Sequence, residues 1–127
     1  MGKQIAILII SLFLLIFGGI WEIKYLERTS RYLASEVEYT KNAIENNNFE
    51  LADKQMESMQ NTWDDMNIVW NIFINHDRID DLEEAIEDLD SYIYLKQDKE
   101  AINAADRLNK IIYQIVDKQK FSFEHIL

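Results

Sequence analysis

The amino-acid sequence predicts an all-α protein in which an N-terminal transmembrane helix continues into an antiparallel four-helix bundle. The 127 residues contain no proline, and all three glycines lie within the first nineteen positions. The stretch from Ile20 to Leu127 therefore lacks both residues that most often end a helix or form a tight hairpin. Its apolar residues recur every three or four positions, which is the period of an amphipathic helix. These observations favour helices throughout the chain.

The N-terminus carries an apolar segment that is long enough to cross a membrane. After a short tail of residues 1–4, the segment 5–21 contains no charged side chain, and as a helix it spans about 25 Å. Trp21 and Tyr25 suit the membrane interface at its far end. A cleaved signal peptide is the alternative, but no small-x-small cleavage site follows the apolar run. We therefore predict that residues 5–21 anchor a single-pass protein in the lipid bilayer of the cell membrane.

The charges that flank this segment allow two orientations. Lys3 precedes it, whereas Lys24, Arg28 and Arg31 follow it, and a count of basic residues would place the following domain in the cytoplasm. Two glutamates, however, lie among those basic residues in a predicted folded helix. The absence of cysteine is compatible with an extracytoplasmic domain. We predict that the bundle lies outside the cytoplasm.

Residues 22–127 are predicted to form the four-helix bundle. The apolar period and its polar interruptions place the helices at about residues 22–45, 49–74, 78–96 and 99–117, with a hydrophobic C-terminal tail at 118–127. Asparagine tolerates the left-handed conformation, so Asn46 to Asn48 should end the first helix, and Asn48 is the predicted N-cap of the second. Short connections between helices of this length favour antiparallel neighbours.

The second helix carries large apolar side chains at heptad spacing along one seam. They are Phe49, Ala52, Met56, Met59, Trp63, Met66, Trp70 and Phe73. Methionine and tryptophan adapt to irregular shapes, so this stripe is compatible with a pocket for an apolar ligand. The unbroken seam spacing is nevertheless typical of core packing, and we favour that interpretation.

No motif in the sequence indicates catalysis, a cofactor or a metal site. Neither histidine, His76 or His125, lies three residues after a glutamate, so the Glu-x-x-His pairs of di-iron bundles are absent. Phosphate-binding glycine loops and nucleophile elbows are absent too. Eight acidic residues between Asp77 and Asp90 splay around a helix, where they favour weak cation binding at most. We expect no enzymatic activity, no cofactor and, with a net charge of −10, no nucleic-acid partner.

Antiparallel packing would bring the end of the second helix and the C-terminal tail together near the membrane. The candidate interaction surface consists of the apolar residues of these two segments: Ile68, Ile72, Phe121, Phe123, Ile126 and Leu127. Ile68 and Ile72 share a helix face that is turned away from the seam. The tail either folds back over the base of the bundle and buries Ile72, or stays free for lipid or a membrane partner. Large exposed apolar patches are uncommon, so we favour the first arrangement.

Several segments of the chain resemble a known family. They are the Gly-Ile-Trp-Glu that ends the anchor, the run Phe73-Ile74-Asn75-His76 that leads into Ile79-Asp80, the pair Tyr92-Ile93, and the closing Phe121-Ser122-Phe123-Glu124-His125-Ile126-Leu127. Over nearly the whole chain, this pattern resembles an uncharacterised family of small single-pass membrane proteins from Firmicutes that is classified as a domain of unknown function. The resemblance implies a membrane protein and brings no activity or site residue with it.

We interpret the protein as a membrane-anchored extracytoplasmic helical interaction module that binds or stabilises another envelope protein. The alternative is a helical-bundle sensory input domain that binds a small ligand and acts through a partner. Sensory receptors normally combine two transmembrane helices with an intracellular output, whereas this sequence has one apolar segment with four residues before it. We therefore favour the interaction module.

Overall fold

The computed structural model describes residues 1–126, apart from the side chain of Ile126. Four helices make up almost all of it: α1 (Gly2–Glu45), α2 (Phe49–Phe73), α3 (His76–Tyr94) and α4 (Asp98–Ile126). These described residues contain no β-strand. The predicted all-α class is confirmed, and the bounds of α2 and α3 lie within two residues of the predicted ones.

Left-handed residues form two of the turns between helices. Asn47, between α1 and α2, has a φ of 60°. Asn48 then caps α2, because its Oδ1 accepts the backbone N–H of Leu51 at 3.1 Å. This contact confirms the predicted N-cap. Lys96 repeats the left-handed conformation between α3 and α4, with a φ of 56°.

The helices form a ring in which α1 and α3 each pack against both α2 and α4. Short connections make consecutive helices antiparallel. The largest fully buried side chains come from all four helices: Trp70, Leu26, Leu33, Ile44, Met56, Met59, Ile79, Leu82, Leu89, Ile93, Leu108 and Ile112. The methionine and tryptophan stripe of α2 is part of this core, as the favoured interpretation of its spacing predicts.

A single helix contains the predicted N-terminal tail, the anchor and the first helix of the bundle. α1 runs for 44 residues without interruption, so residues 2–4 are helical and do not form a separate tail. Its buried residues begin at Leu26, whereas its apolar N-terminal half is almost entirely exposed in the isolated chain. The orientation of the bundle relative to the apolar half therefore follows from the continuity of α1.

The predicted C-terminal tail is likewise part of a helix. α4 continues to Ile126, so the prediction that helix four ends near residue 117 and that a separate tail folds back is wrong. No glycine or proline in this segment ends the helix. In addition, Lys120 pairs with Glu27 of α1 and holds the extra turns in place. The end of α4 therefore runs along α1 instead of covering the base of the bundle.

A buried carboxylate joins α1 to α2. Glu36 is only 5% exposed, and its carboxylate accepts hydrogen bonds from Ser58 at 2.8 Å and from Thr62. Ser58 and Thr62 are four residues apart, so both hydroxyls face α1. Nearer the N-terminus of α1, Trp70 Nε1 donates to Thr29 Oγ1 at 3.0 Å. A slip of one helix along the other would leave the buried carboxylate of Glu36 and the buried indole N–H of Trp70 unpaired, which is costly, so the bonds fix the register of α1 against α2.

Replacement of Glu36 tests this polar contact. Glu36→Ala should lower the free energy of unfolding by about 2–4 kcal/mol, because it leaves two hydroxyls without their acceptor and opens a cavity. Glu36→Gln keeps an acceptor oxygen and most of the volume, so it should cost about 1 kcal/mol. The exposed Glu57→Ala is the control and should stay within about 0.5 kcal/mol of the parent.

Urea unfolding of the full-length protein in detergent micelles, followed by circular dichroism of the helices, provides these values. Equal stabilities for Glu36→Ala and Glu57→Ala would show that the carboxylate does not hold α1 to α2.

Candidate functional site

The described part of the chain leaves most of the apolar half of α1 uncovered. Among the described residues, α1 is the one helix that is long and apolar enough to cross a membrane, and no part of its 18-residue apolar window is buried. Leu8 and Leu15, for example, are 69% and 72% exposed. These properties fit a single-pass membrane helix, and by length and composition alone they also fit a signal sequence.

The ends of α2 and α4 meet where α1 enters the bundle. Gln119 Nε2 on α4 donates to Glu22 Oε1 of α1 at 2.6 Å, and to the carbonyl of Phe73 at the end of α2 at 3.2 Å. Trp21 packs edge-on against Phe73, with ring centroids 6.2 Å apart. Together Trp21, Glu22, Phe73 and Gln119 form what we call the base of the bundle. This base is the end of the bundle that adjoins the apolar half of α1.

Two residues of the predicted interaction surface are uncovered on α2. Ile68 and Ile72 are 69% and 70% exposed, and they lie one turn apart on the face opposite the buried seam. The expectation that a folded-back tail buries Ile72 is wrong, because α4 runs along α1 instead. We call this pair of outward-facing isoleucines the α2 patch.

Phe121 and Phe123 of the predicted surface belong to the last turns of α4. Phe123 is half-buried and packs against Gly19 so closely that a Cβ added to Gly19 would overlap its ring. Phe121 is 61% exposed and packs on His125, with ring centroids 4.6 Å apart. The side chain of Ile126 and the whole of Leu127 lie outside the described residues. The four predicted residues whose side chains are described are thus divided between the α2 patch and the end of α4.

An apolar crevice of about 570 Å³ opens below the base, between the apolar half of α1 and the ends of α2 and α4. Its walls include Leu12, Leu15 and Gly19 of α1, together with Phe73 of α2 and Phe123 of α4. Sequence reasoning missed this crevice, because it exists only if α4 continues past the base as a helix.

Two ion pairs hold α4 against α1. Lys120 pairs with Glu27 near the base, and Lys41 pairs with Asp106 at 2.8 Å farther from it. The hydrogen bond between Lys120 and Glu27 lowers the pKa of the Glu27 carboxyl and raises the pKa of Lys120, whereas burial opposes both shifts. The hydrogen bond with Asp106 likewise raises the pKa of Lys41. Glu27, Lys41 and Lys120 are therefore charged at neutral pH, where they keep α4 alongside α1.

The polar groups of the bundle surface do not converge on a metal site. Within residues 1–126, no three His, Asp or Glu side chains lie close enough together to hold a metal ion. On α3 most of the acidic side chains are exposed, and Asp88 pairs with Arg107 of α4 at 3.2 Å. An open cleft of about 360 Å³ lies between α1 and α2, and its lining includes Arg28, Thr62 and Asp65.

Comparison with known families assigns the chain to one of them. A family profile described as a domain of unknown function, DUF4363, matches residues 20–126. The chain belongs to the DUF4363 family. It matches no curated protein and no solved structure, so membership of the family brings no activity with it. The DUF4363 match agrees with the resemblance to a family of unknown function.

The bounds of the DUF4363 match coincide with a structural boundary. The match begins at Ile20, so it contains the bundle, the base and the whole of α4 to Ile126. Residues 2–19 of α1, which form most of the uncovered apolar half, precede it. The α2 patch and the end of α4 are therefore parts of the DUF4363 domain. One wall of the crevice comes instead from the part of α1 that precedes the match.

The contact between Gly19 and Phe123 can be tested with a neighbouring glycine as the control. A Cβ added at Gly18 meets no atom within 4 Å, whereas one added at Gly19 overlaps the ring of Phe123. Alanine is a better helix former than glycine by up to about 1 kcal/mol. Gly18→Ala should therefore raise the thermal unfolding midpoint of the full-length DUF4363 protein in micelles, and Gly19→Ala should give a lower midpoint than Gly18→Ala.

The difference between the two alanine variants should disappear in a Phe123→Ala background, because the ring that Gly19→Ala displaces is then absent. Identical midpoints for Gly18→Ala and Gly19→Ala in the parent chain would contradict the packing of α4 on α1 at this position.

Proposed function

We propose that this DUF4363 protein is a membrane-anchored helical interaction module, with its bundle outside the cytoplasm, that binds or stabilises another envelope protein. The observation that carries the proposal is the α2 patch. Ile68 and Ile72 are each about 70% exposed, and the second of them lies directly beside the base. The resemblance to single-pass proteins of Firmicutes supports an envelope setting.

The packing of the bundle does not need the α2 patch. The seam of α2 from Ala52 to Trp70 is at most 5% exposed, so the helix is already held by its opposite face. At an exposed helix position, isoleucine is a poorer helix former than lysine or glutamate and leaves apolar surface in water. Two such residues one turn apart therefore favour a surface that is covered by another molecule.

The surroundings of the α2 patch indicate what kind of partner fits it. The exposed side chains of Asp64, Asp65 and Asn71 border the two isoleucines. An apolar centre with a polar border is the usual composition of a protein–protein interface. The partner segment would present apolar side chains flanked by basic ones. It would lie close to the membrane surface, because the patch adjoins the base.

Ion pairing reduces the excess of basic residues that would place the bundle in the cytoplasm. Arg31 lies 3.5 Å from Glu27, which also pairs with Lys120 of α4. This arginine is therefore paired with the folded bundle. Without it, the count of basic residues on the bundle side falls to two, Lys24 and Arg28, against Lys3 on the other side.

The sensory alternative takes second place because the side chains proposed to line its pocket are packed in the core. Met56, Met59, Trp63, Met66 and Trp70 are all at most 5% exposed. A small ligand would instead have to bind a surface cleft, such as the open one between α1 and α2, whose lining mixes charged and hydroxyl side chains with apolar surface. A metabolite retained in this cleft by the purified full-length protein would favour the sensory function.

Site-specific photo-crosslinking in cells tests the interaction module. A photoreactive residue at Ile68 or at Ile72 should form a crosslink to one and the same envelope protein. The same residue at Tyr113, which is 70% exposed on α4, is the control and should not form it. The double variant Ile68→Asp with Ile72→Asp should prevent recovery of that protein without loss of bundle stability, because both side chains are exposed.

Two results would contradict a specific envelope partner at the α2 patch. One is that Ile68 and Ile72 form crosslinks only to lipid. The other is that Ile68 and the control position Tyr113 form crosslinks to the same many proteins.

A further inference from the structure

We propose that the last turns of α4 enter the same membrane leaflet as the end of the anchor, and that a phospholipid acyl chain fills the crevice below the base. This inference depends on the membrane anchoring in the proposed function and adds a second membrane contact to it. Four observations support it: the depth of α4, the length of the apolar segment, the side chains at the end of α4 and the shape of the crevice.

The contacts between α4 and α1 show how far α4 reaches past the base. Gln119 is level with Glu22, and four residues later Phe123 is level with Gly19. α4 then continues for three more residues to Ile126, which is about 4.5 Å further along the helix. Gly19 belongs to the apolar segment 5–21. A membrane that contains this segment must therefore also surround the end of α4.

The length of the apolar segment strengthens this conclusion. Residues 5–21 span about 25 Å as a helix, whereas the hydrocarbon core of a bilayer is about 30 Å thick. A segment that is too short draws its flanking residues toward the hydrocarbon or thins the bilayer around it. The first response draws the base of the bundle toward the acyl chains, and the second moves the edge of the hydrocarbon to the end of the apolar segment, next to the base.

The side chains at the end of α4 suit the boundary between headgroups and acyl chains. Phe121 is 61% exposed and Phe123 is half-buried, so water would contact much of their apolar surface in the absence of lipid. Glu124 and His125 are exposed in the same turns. A carboxylate is costly at the centre of a bilayer and tolerated near its surface, so these two polar residues limit how deep the end of α4 can lie.

The walls of the crevice continue the core stripe of the bundle. Leu12, Gly19, Leu26 and Leu33 follow one another at intervals of seven on α1. Leu26 and Leu33 are fully buried by the bundle, whereas Leu12 and Gly19 line the crevice. The face that packs against protein above the base therefore needs an apolar covering below it as well.

The position of the crevice favours a lipid chain. Most of its wall comes from the apolar segment of α1, and acyl chains surround that segment wherever it crosses a membrane. A flexible acyl chain can follow the narrow space between α1 and the rings of Phe73 and Phe123. Glu22 and Gln119 at the base then lie on the headgroup side of that chain.

Spin labels on the full-length protein test the position of α4. The chain has no cysteine, so single labels can be placed freely. In palmitoyl-oleoyl phosphatidylcholine vesicles, a label at Phe121→Cys should collide several-fold more with oxygen, which concentrates in lipid, than with a water-soluble nickel chelate. Labels at Leu8→Cys in the anchor and Tyr113→Cys on the outer part of α4 are the lipid and water controls.

Each outcome bears on the proposal. If the label at Phe121→Cys behaves as the one at Leu8→Cys, the end of α4 lies in the membrane. If it behaves as the one at Tyr113→Cys, the inference is wrong while the membrane anchor stands. If the Leu8→Cys label is itself in water, the anchoring in the proposed function fails together with the inference. Spin–spin coupling between Phe121→Cys labels that disappears on dilution with unlabelled protein would show that a second copy of the chain occupies the crevice. That result would overturn the assignment of a lipid chain to it.

A photoreactive phospholipid tests the occupant of the crevice with the unmodified chain. A phosphatidylcholine with a diazirine on its acyl chain should label Phe73 and the end of α4 in addition to residues 5–21 of α1. Phe73 is diagnostic because it is the last residue of α2 and lines the crevice, so the anchor alone does not account for its labelling. Labelling confined to α1 would overturn the assignment of an acyl chain to the crevice.

Discussion

The architecture depends on the continuity of α1, which supplies both the uncovered apolar segment and one wall of the bundle. The same helix is largely exposed from Ile5 to Trp21 and carries buried residues from Leu26 to Ile44. Both α2 and α4 pack against it, and α3 closes the ring on the far side. A continuous helix fixes the rise and the rotation between any two of its residues. The base of the bundle therefore has a defined distance and orientation relative to the apolar segment.

Polar contacts add register to this apolar packing. Glu36 binds two hydroxyls of α2, Trp70 donates to Thr29, and Gln119 links the ends of α2 and α4 to α1. Apolar seams of similar shape can slide past one another by a turn, whereas a buried carboxylate has acceptable partners in one position only. These contacts tie both neighbours of α1 to defined positions along it, and they place the α2 patch and the end of α4 next to the base.

The sequence predicted most of the fold, because helices and seams are local patterns. The stripes of α1 and α2, the cap at Asn48 and the order of the helices follow from spacing and capping chemistry. The end of α4 did not follow, because the end of a helix that lacks glycine and proline is decided by contacts such as that between Lys120 and Glu27. Lys96 was also missed, since lysine gives no signal for a left-handed turn.

The site was predicted in part for the same reason. Outward-facing Ile68 and Ile72 can be read from the period of α2, and the structure leaves them exposed. The packing of Phe123 on Gly19 and the burial of Glu36 join residues on different helices, and one sequence contains no signal of such pairs. The burial of Glu36 had one available indication in the sequence. Ser58 and Thr62 form a pair of hydroxyls four residues apart, opposite an acidic residue on a neighbouring seam.

Hydrogen–deuterium exchange of the full-length protein in lipid nanodiscs tests the continuity of α1 most directly. The decisive amides are those of residues 20–26, which join the apolar segment to the bundle. An uninterrupted helix held by α2 and α4 predicts slow exchange at each of them, comparable to the buried stripe from Leu33 to Ile44. Fast exchange at these amides, next to the Gly18–Gly19 pair, would reveal a hinge. The base of the bundle would then have no fixed position relative to the membrane.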